Sequence, residues 1–368
     1  MTRTRVWLVN GLLLIVAMAV GMVLSEVGLR VFYPQPLGVW HHDRYGLALH
    51  WPGLVTYLPQ FGRSVSFNSA GMRDREHAVE RAEGVFRVLV LGDSFMEALQ
   101  VPFETSFPSL LERELEKRAG RRVEVVNASV SGWGTDDELQ YLTTHGMKWR
   151  PDLVLVAMTL HNDVSDNLRE RFHTTKNGAL VKTPREADSF LRYGIVQLKG
   201  FLATRSHSFQ LLMRARRARE MQRETKQLNS HVVELFREAP DGRVARGLEL
   251  TAFLLERMQV ILSTEGSKVT LVLLPLVMQL SEGNFREFAR AATGSGRGLE
   301  IDGPQRLMTR VADRAGIAVI DLLPGFSEWA AGGRDGLYLE GDGHWNERGH
   351  RLGMDIVARE LVNRGLVR

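Results

Sequence analysis

From residue 85 onward, short apolar runs alternate with amphipathic stretches, and that alternation leaves few architectures open. Residues 85–91, 123–126, 152–158, 268–274 and 317–320 read as buried strands. Residues 107–118, 136–147, 248–264, 304–315 and 347–363 read as helices, the first with Leu110, Leu111 and Leu115 on one face. Gly316 follows the end of the fourth helix, as a left-handed cap requires. Strands alternating with helices imply a parallel sheet covered on both faces. In such sheets the carboxyl edge is where ligands sit.

Polar groups stand where these strands end. Behind the first comes Gly92-Asp93-Ser94-Phe95, whose serine would by itself serve equally well to cap a helix. Behind the second comes 127–135, Asn-Ala-Ser-Val-Ser-Gly-Trp-Gly-Thr, a glycine-containing turn that can expose backbone N–H groups. Behind the third comes Thr159-Leu160-His161-Asn162-Asp163, and before the last helix stands Asp342-Gly343-His344-Trp345-Asn346. Ester chemistry by a serine needs a nucleophile, a base, an orienter for the base, and donors for a developing oxyanion. All four are available here.

These blocks, Gly92-Asp93-Ser94, Ser131-Gly132, Asn162-Asp163 and Asp342…His344, resemble the SGNH/GDSL hydrolase family in kind and in order. The resemblance covers roughly residues 85–365. It is strongest to bacterial members with an N-terminal anchor, an Asn-Ser-x-Gly-x-Arg-Asp segment (here Asn68 to Asp74) and a long insertion after the asparagine block. It implies a three-layer α/β/α sandwich with a flavodoxin-like, mainly five-stranded parallel sheet. It also implies that Ser94, His344 and Asp342 are catalytic, and that the Ser94 and Gly132 N–H groups with the Asn162 side chain form the oxyanion hole. No second glycine follows Ser94 at the spacing of a nucleophile elbow, so an α/β-hydrolase fold is the poorer match.

Two departures stand out. The family places its acid three residues before the histidine, where this chain has Gly341, and Asp342 lies only two before. Related membrane-associated polysaccharide acetyltransferases show the same Asp-x-His pattern, and Glu340 is the fallback orienter. Leu160-His161 also replaces the glycine usual before Asn162. Trp133 and Trp345 flank the motifs and read either as residues that line a substrate pocket or stack on a sugar, or equally as bulky wall residues. Asp93 reads as a brace for the turn, and Ser165, Asp166 and Asn167 as loop residues.

Ahead of the sheet, residues 6–25 carry no charge, long enough to cross a bilayer as a helix. The absence of a polar face argues against a core helix. An uncleaved anchor is the preferred reading over a cleaved signal ending near Ala17-Met18-Ala19. Arg3 and Arg5 against Arg30 favour the N-terminus inside and the remainder outside. The expected organisation is therefore an anchor over 1–30, an accessory or linker segment over 31–84, and a catalytic domain over 85–368 with a helical insertion at about 164–247. In the accessory segment, residues 64–67 read as a short strand and 68–71 as a turn.

The rest of the composition narrows function mostly by exclusion. A net charge of +4 with no nucleic-acid motif gives no nucleic-acid partner. The chain has no cysteine, hence no thiolate nucleophile, and no ligand cluster implies a metal or organic cofactor. The arginines at 214, 216, 217, 219 and 223 suit anionic headgroups, an acidic glycan or a solvated helix face. The functional expectation is a membrane-anchored extracytoplasmic esterase acting on an acylated glycan or lipid, acetyl groups on envelope polysaccharide being one such substrate. The alternatives are an O-acyltransferase using the same site, with a membrane acyl-transfer partner, and an inactive glycan-binding or assembly protein.

Overall fold

The computed structural model describes residues 3–367 apart from 44, 161, 168–171, 175–179, 183–189, 295 and 335. The chain opens with α1 (Arg3–Phe32) and two antiparallel hairpins, β1 (Trp40–His42) with β2 (Ala48–His50) and β3 (Val55–Leu58) with β4 (Arg63–Ser66). Then follow β5 (Phe86–Gly92), α2 (Ser94–Glu97), α3 (Phe107–Ala119), β6 (Val123–Ser129), α4 (Thr135–Tyr141), β7 (Leu153–Thr159) and α5 (Asp163–Asp166). A hairpin of β8 (Phe172–Thr174) and β9 (Leu180–Lys182) precedes two long helices, α6 (Phe190–Arg205) and α7 (His207–Leu235). The chain ends with α8 (Gly242–Thr264), β10 (Lys268–Leu274), α9 (Glu282–Thr293), α10 (Gly303–Ala315), β11 (Ala318–Asp321), α11 (Leu323–Ala331) and α12 (Glu347–Asn363).

Five strands form one parallel sheet in the order β11–β10–β7–β5–β6. The strand first in sequence lies between the second and the third, so the order reverses beside β5. That reversal is the switch point of a flavodoxin-like sheet, and it opens a crevice at the strand ends. Leu89 and Leu91 face one apolar cluster with α4, α8 and α10, while Val88 and Val90 face another with α3, α11 and α12. Alternate residues of one strand thus feed two cores, which is why these strands read as near-continuous apolar runs. The fold is the expected three-layer α/β/α sandwich.

Some bounds differ from the periodicity. The helix expected at 136–147 begins at Thr135 and gives way after Tyr141 to a wide turn (Leu142–Gly146) and a tight one (Met147–Trp149). The helix expected from residue 248 begins at Gly242, because the Asp241 side chain accepts from the N–H groups of Arg243 and Val244. It therefore starts inside the stretch set apart as an insertion. Helices α9 and α11 were not legible.

Helix α1 is long and apolar enough to cross a membrane, and its apolar side chains are exposed along its length. Parts of the segment 31–84 dock on the catalytic domain. Leu47 and Met72 join the larger core cluster, the Asp74 carboxylate accepts from Asn127 N–H at 2.7 Å, and Arg73 donates to the carbonyls of Glu97, Ala98 and Val101. Burial pushes the Arg73 guanidinium down to about 10. The turn at 68–71 closes as expected: Asn68 Oδ1 accepts from Ala70 and Met72 N–H. Gly71 has φ +72°, where an added Cβ would stand 2.5 Å from the His50 carbonyl oxygen.

Candidate active site

The register aligns Gly92 of β5 with Ser129 of β6 and Ala157 of β7, so the segments after these strands leave the same sheet edge. At Gly92 the chain turns at once into the short helix α2, and an added Cβ there would meet Met96 Cγ at 2.8 Å. Asp93 braces the turn. Its Oδ1 accepts from Phe95 N–H (2.9 Å) and Thr159 Oγ1 (3.0 Å), and its Oδ2 accepts from the Asn162 side-chain amide (3.1 Å). One carboxylate thus ties the loop bearing Ser94 to the loop bearing Asn162. Nearby, burial lifts the Glu138 carboxyl well above the usual range, with the charges of Asp93, Asp136 and Asp137 adding to it.

His344 reaches the same edge from the opposite end of the chain. Its Nε2 lies 2.7 Å from Ser94 Oγ, and its Nδ1 is bonded to Asp342 Oδ1. The two-residue spacing works because Gly341 and Gly343 both take left-handed φ values, +72° and +82°. The turn folds the carboxylate back, and the backbone N–H of His344 also bonds Asp342 Oδ1, at 3.3 Å. Glu340 is exposed and makes no bond to the imidazole. With Nδ1–H donating to Asp342, the Nε2 lone pair faces the serine hydroxyl, so the arrangement can take a proton from Ser94. Behind it, Trp345 and Trp133 are 0% and 1% exposed and belong to the core, which corrects the pocket-lining, sugar-stacking and wall readings alike. The Phe95 ring packs against His344 at 4.9 Å and edge-on against Trp345 at 5.4 Å, fixing the height of the imidazole. Next to this, His350 is wholly buried and accepts from Phe107 N–H. Burial chiefly, and the charges of Arg73 and His344 next, push it down to about 3, so it stays neutral.

Gly132 sits in the turn after β6 with φ +79°, a conformation costly for other residues. The residue before it is held by a partner the sequence did not reveal. Glu97 Oε2 accepts from the backbone N–H and the hydroxyl of the half-buried Ser131, and its Oε1 meets His50 Nε2 at 2.5 Å, where both side chains are fully buried. His50 Nδ1 donates to the Gly71 carbonyl (3.1 Å), and its ring stacks on Phe67 at 4.1 Å. The accessory hairpins thereby reach the loop carrying Gly132. Glu97→Ala is expected to lower kcat about 10- to 100-fold with KM little changed, since a misplaced oxyanion donor costs up to 3–4 kcal/mol. Glu97→Gln can accept from Ser131 and donate to His50, and should retain most activity. A lower Tm with unaltered kcat would confine Glu97 to a structural role.

Asn167, read as a loop residue, is buried. It accepts from Asp136 N–H (3.2 Å) and donates to Thr251 Oγ1 (2.9 Å), joining α4 to α8. His161 lies outside the described residues. Among the described residues no group of three His, Cys, Asp or Glu side chains is placed to hold a metal ion.

Beside His344 opens a cavity of about 540 Å³, lined mainly by apolar side chains: Val232 and Val233 of α7, Leu276 and Met278 after β10, Phe288 of α9, and Phe95 and Tyr338. The Tyr338 hydroxyl donates to the Pro275 carbonyl at 2.5 Å, turning its polar tip away.

A family model, the GDSL-like Lipase/Acylhydrolase family, matches residues 90–352. An arylesterase of Vibrio mimicus is 42% identical over 72 residues, which are 20% of this chain and 36% of that relative, about a third of its length. Among solved structures, TesA covers 76% of this chain and 99% of its own at 18% identity and a TM-score of 0.40. Axe2, an acetylxylan esterase from Geobacillus stearothermophilus, covers 75% and 94% at 14% identity and a TM-score of 0.42.

Proposed function

The chain belongs to the GDSL-like lipase/acylhydrolase family. From that membership we propose a serine esterase held at the cytoplasmic membrane by α1, with its catalytic domain on the outer side, cleaving acyl esters of an envelope glycan or lipid. The observation that carries this reading is the contact chain from Ser94 Oγ through His344 to Asp342. In this mechanism Ser94 attacks the acyl carbonyl as its proton passes to His344 Nε2. Asp342 holds the imidazole in the productive tautomer and offsets the imidazolium charge. The N–H groups of Ser94 and Gly132 and the Asn162 amide stabilise the oxyanion. His344 returns the proton to the departing alkoxide, and a water admitted afterwards releases the acid.

The apolar cavity beside His344 favours an acyl chain longer than acetyl. Each methylene it buries is worth about 0.8 kcal/mol, so octanoyl esters should exceed acetyl esters in kcat/KM by about tenfold or more. Purified full-length chain and paired p-nitrophenyl esters test this. Equal rates, or a preference for acetate, would return acetylated polysaccharide as the substrate. Product analysis with an added glycan acceptor separates hydrolysis from transfer: acyl glycan in place of free acid assigns an O-acyltransferase. No turnover with any ester or acceptor leaves the binding-protein reading.

A further inference from the structure

The uncharged run of α1 ends at Ser25, and the next turn of the helix is bonded to the junction of α6 and α7. Ser25 Oγ lies 3.4 Å from Ser208 Oγ. Glu26 accepts from the N–H groups of His207 (2.9 Å) and Ser208 (3.0 Å) and from Ser206 Oγ (2.9 Å), and Arg30 donates to the Arg205 carbonyl (2.6 Å). A run of about 20 residues matches the hydrocarbon thickness of a bilayer. With α1 across a membrane, the α6–α7 junction therefore stands where hydrocarbon gives way to headgroups.

Around that junction the surface is of an uncommon kind. One face of α6 packs inward, where Gly200 backs onto His41 and Trp51 and Gln197 donates to the His42 carbonyl. Ile195 and Leu198, turned away from it, are 45% and 57% exposed, Phe201 at the edge of that inward face is 45% exposed, and Leu212 in the second turn of α7 is 66% exposed. The Arg205 guanidinium lies 4.4 Å over the Phe201 ring. Between Phe190 and Arg219 there is no Asp or Glu, while Lys or Arg occurs seven times. A solvated face would explain the cations but not the apolar side chains among them. Exposed apolar groups with cations and no acids suit a helix in the headgroup region, its apolar side at the acyl boundary.

We infer that α6 and the start of α7 lie on the bilayer surface, with Ile195, Leu198, Phe201 and Leu212 entering the acyl boundary and the exposed Lys199, Arg205, Arg214 and Arg216 side chains meeting anionic headgroups. The inference rests on the reading of α1 as a membrane anchor. It also joins membrane to site: α7 starts at that boundary and its last turns, Val232 and Val233, wall the cavity beside His344. At 1.5 Å per residue its 29 residues span about 44 Å, which limits how far the site stands from the lipid.

The chain has no cysteine, so Leu198→Cys, Leu212→Cys, Val16→Cys in α1 and Arg351→Cys on α12 each accept one environment-sensitive fluorophore. The full chain is reconstituted in phosphatidylcholine–phosphatidylglycerol vesicles with and without nitroxide-labelled lipid. Emission from positions 16, 198 and 212 should fall at least about twofold with the nitroxide, and that from 351 should not change. Ile195→Cys gives a second reading of the α6 face should Leu198→Cys fold poorly. Quenching at 16 with none at 198 and 212 overturns the surface contact and leaves the anchor standing. No quenching at 16 overturns the anchor itself, and this inference with it.

Discussion

Replacing Ser94 with Ala is expected to lower kcat/KM for an activated ester by about 10⁴-fold or more and to abolish labelling by a fluorophosphonate. The imidazole would then face a methyl group, with no hydroxyl left to deprotonate. Of the serines near it, Ser131 is committed to Glu97 through both its N–H and its hydroxyl, so it is no substitute. What survives should be the modest acceleration due to substrate binding and the oxyanion donors. Ser94 opens α2, its side chain bonds His344 alone among the described residues, and alanine suits a helix, so Tm should stay close to that of the unsubstituted chain. Loss of labelling at constant Tm separates a missing nucleophile from an unfolded site. Turnover within threefold of the starting value would remove Ser94 from the chemistry.

The sheet was legible because β5, β7 and β10 are buried on both faces and leave apolar runs that no helix period fits. Helix α12 was legible to the residue, since Asn346 caps it by accepting from Arg348 and Gly349 N–H and its apolar side keeps a helical period. Helix α9 was not, because it buries only Phe285 and Ala289 and its remaining pattern is that of a polar loop. Helix α11 was masked by Leu-Pro-Gly in its first turn, where proline is tolerated but reads as a breaker. The strand-end groups were readable as candidates because topology alone places them on one edge. The His50–Glu97 pair was not, since 47 residues separate its members and neither carries a motif. A glutamate inside the apolar stretch Phe95-Met96-Glu97-Ala98-Leu99 was the available signal: a buried carboxylate must have partners. Trp345 was misplaced because a tryptophan beside a catalytic motif suits a pocket or a wall, and only its packing on Phe95 and Phe326 puts it in the core.

Asp342→Asn is expected to lower kcat about 10³- to 10⁴-fold while leaving the fold intact. The carboxylate accepts at Oδ1 from both the ring Nδ1 and the backbone N–H of His344, so one oxygen fixes the turn and the tautomer together. An asparagine can keep the backbone bond through its carbonyl oxygen. Where its amide group faces the ring instead, it donates to Nδ1 and moves the ring proton to Nε2, which then cannot take the proton of Ser94. The imidazolium formed during attack would also lose its compensating charge. The Asp342 side chain is 34% exposed, so little stability should follow the change, and Tm serves as the control. Glu340 stands exposed on the near side of Gly341 and has no bond to His344, so it should not rescue the variant. Asp342→Ala should fall as far in kcat, with KM changed far less in both, because the carboxylate acts on the reacting atoms through His344. If both variants turn over an activated ester at the original rate, Asp342 has no part in the reaction, and His344 must act with its tautomer set by other means.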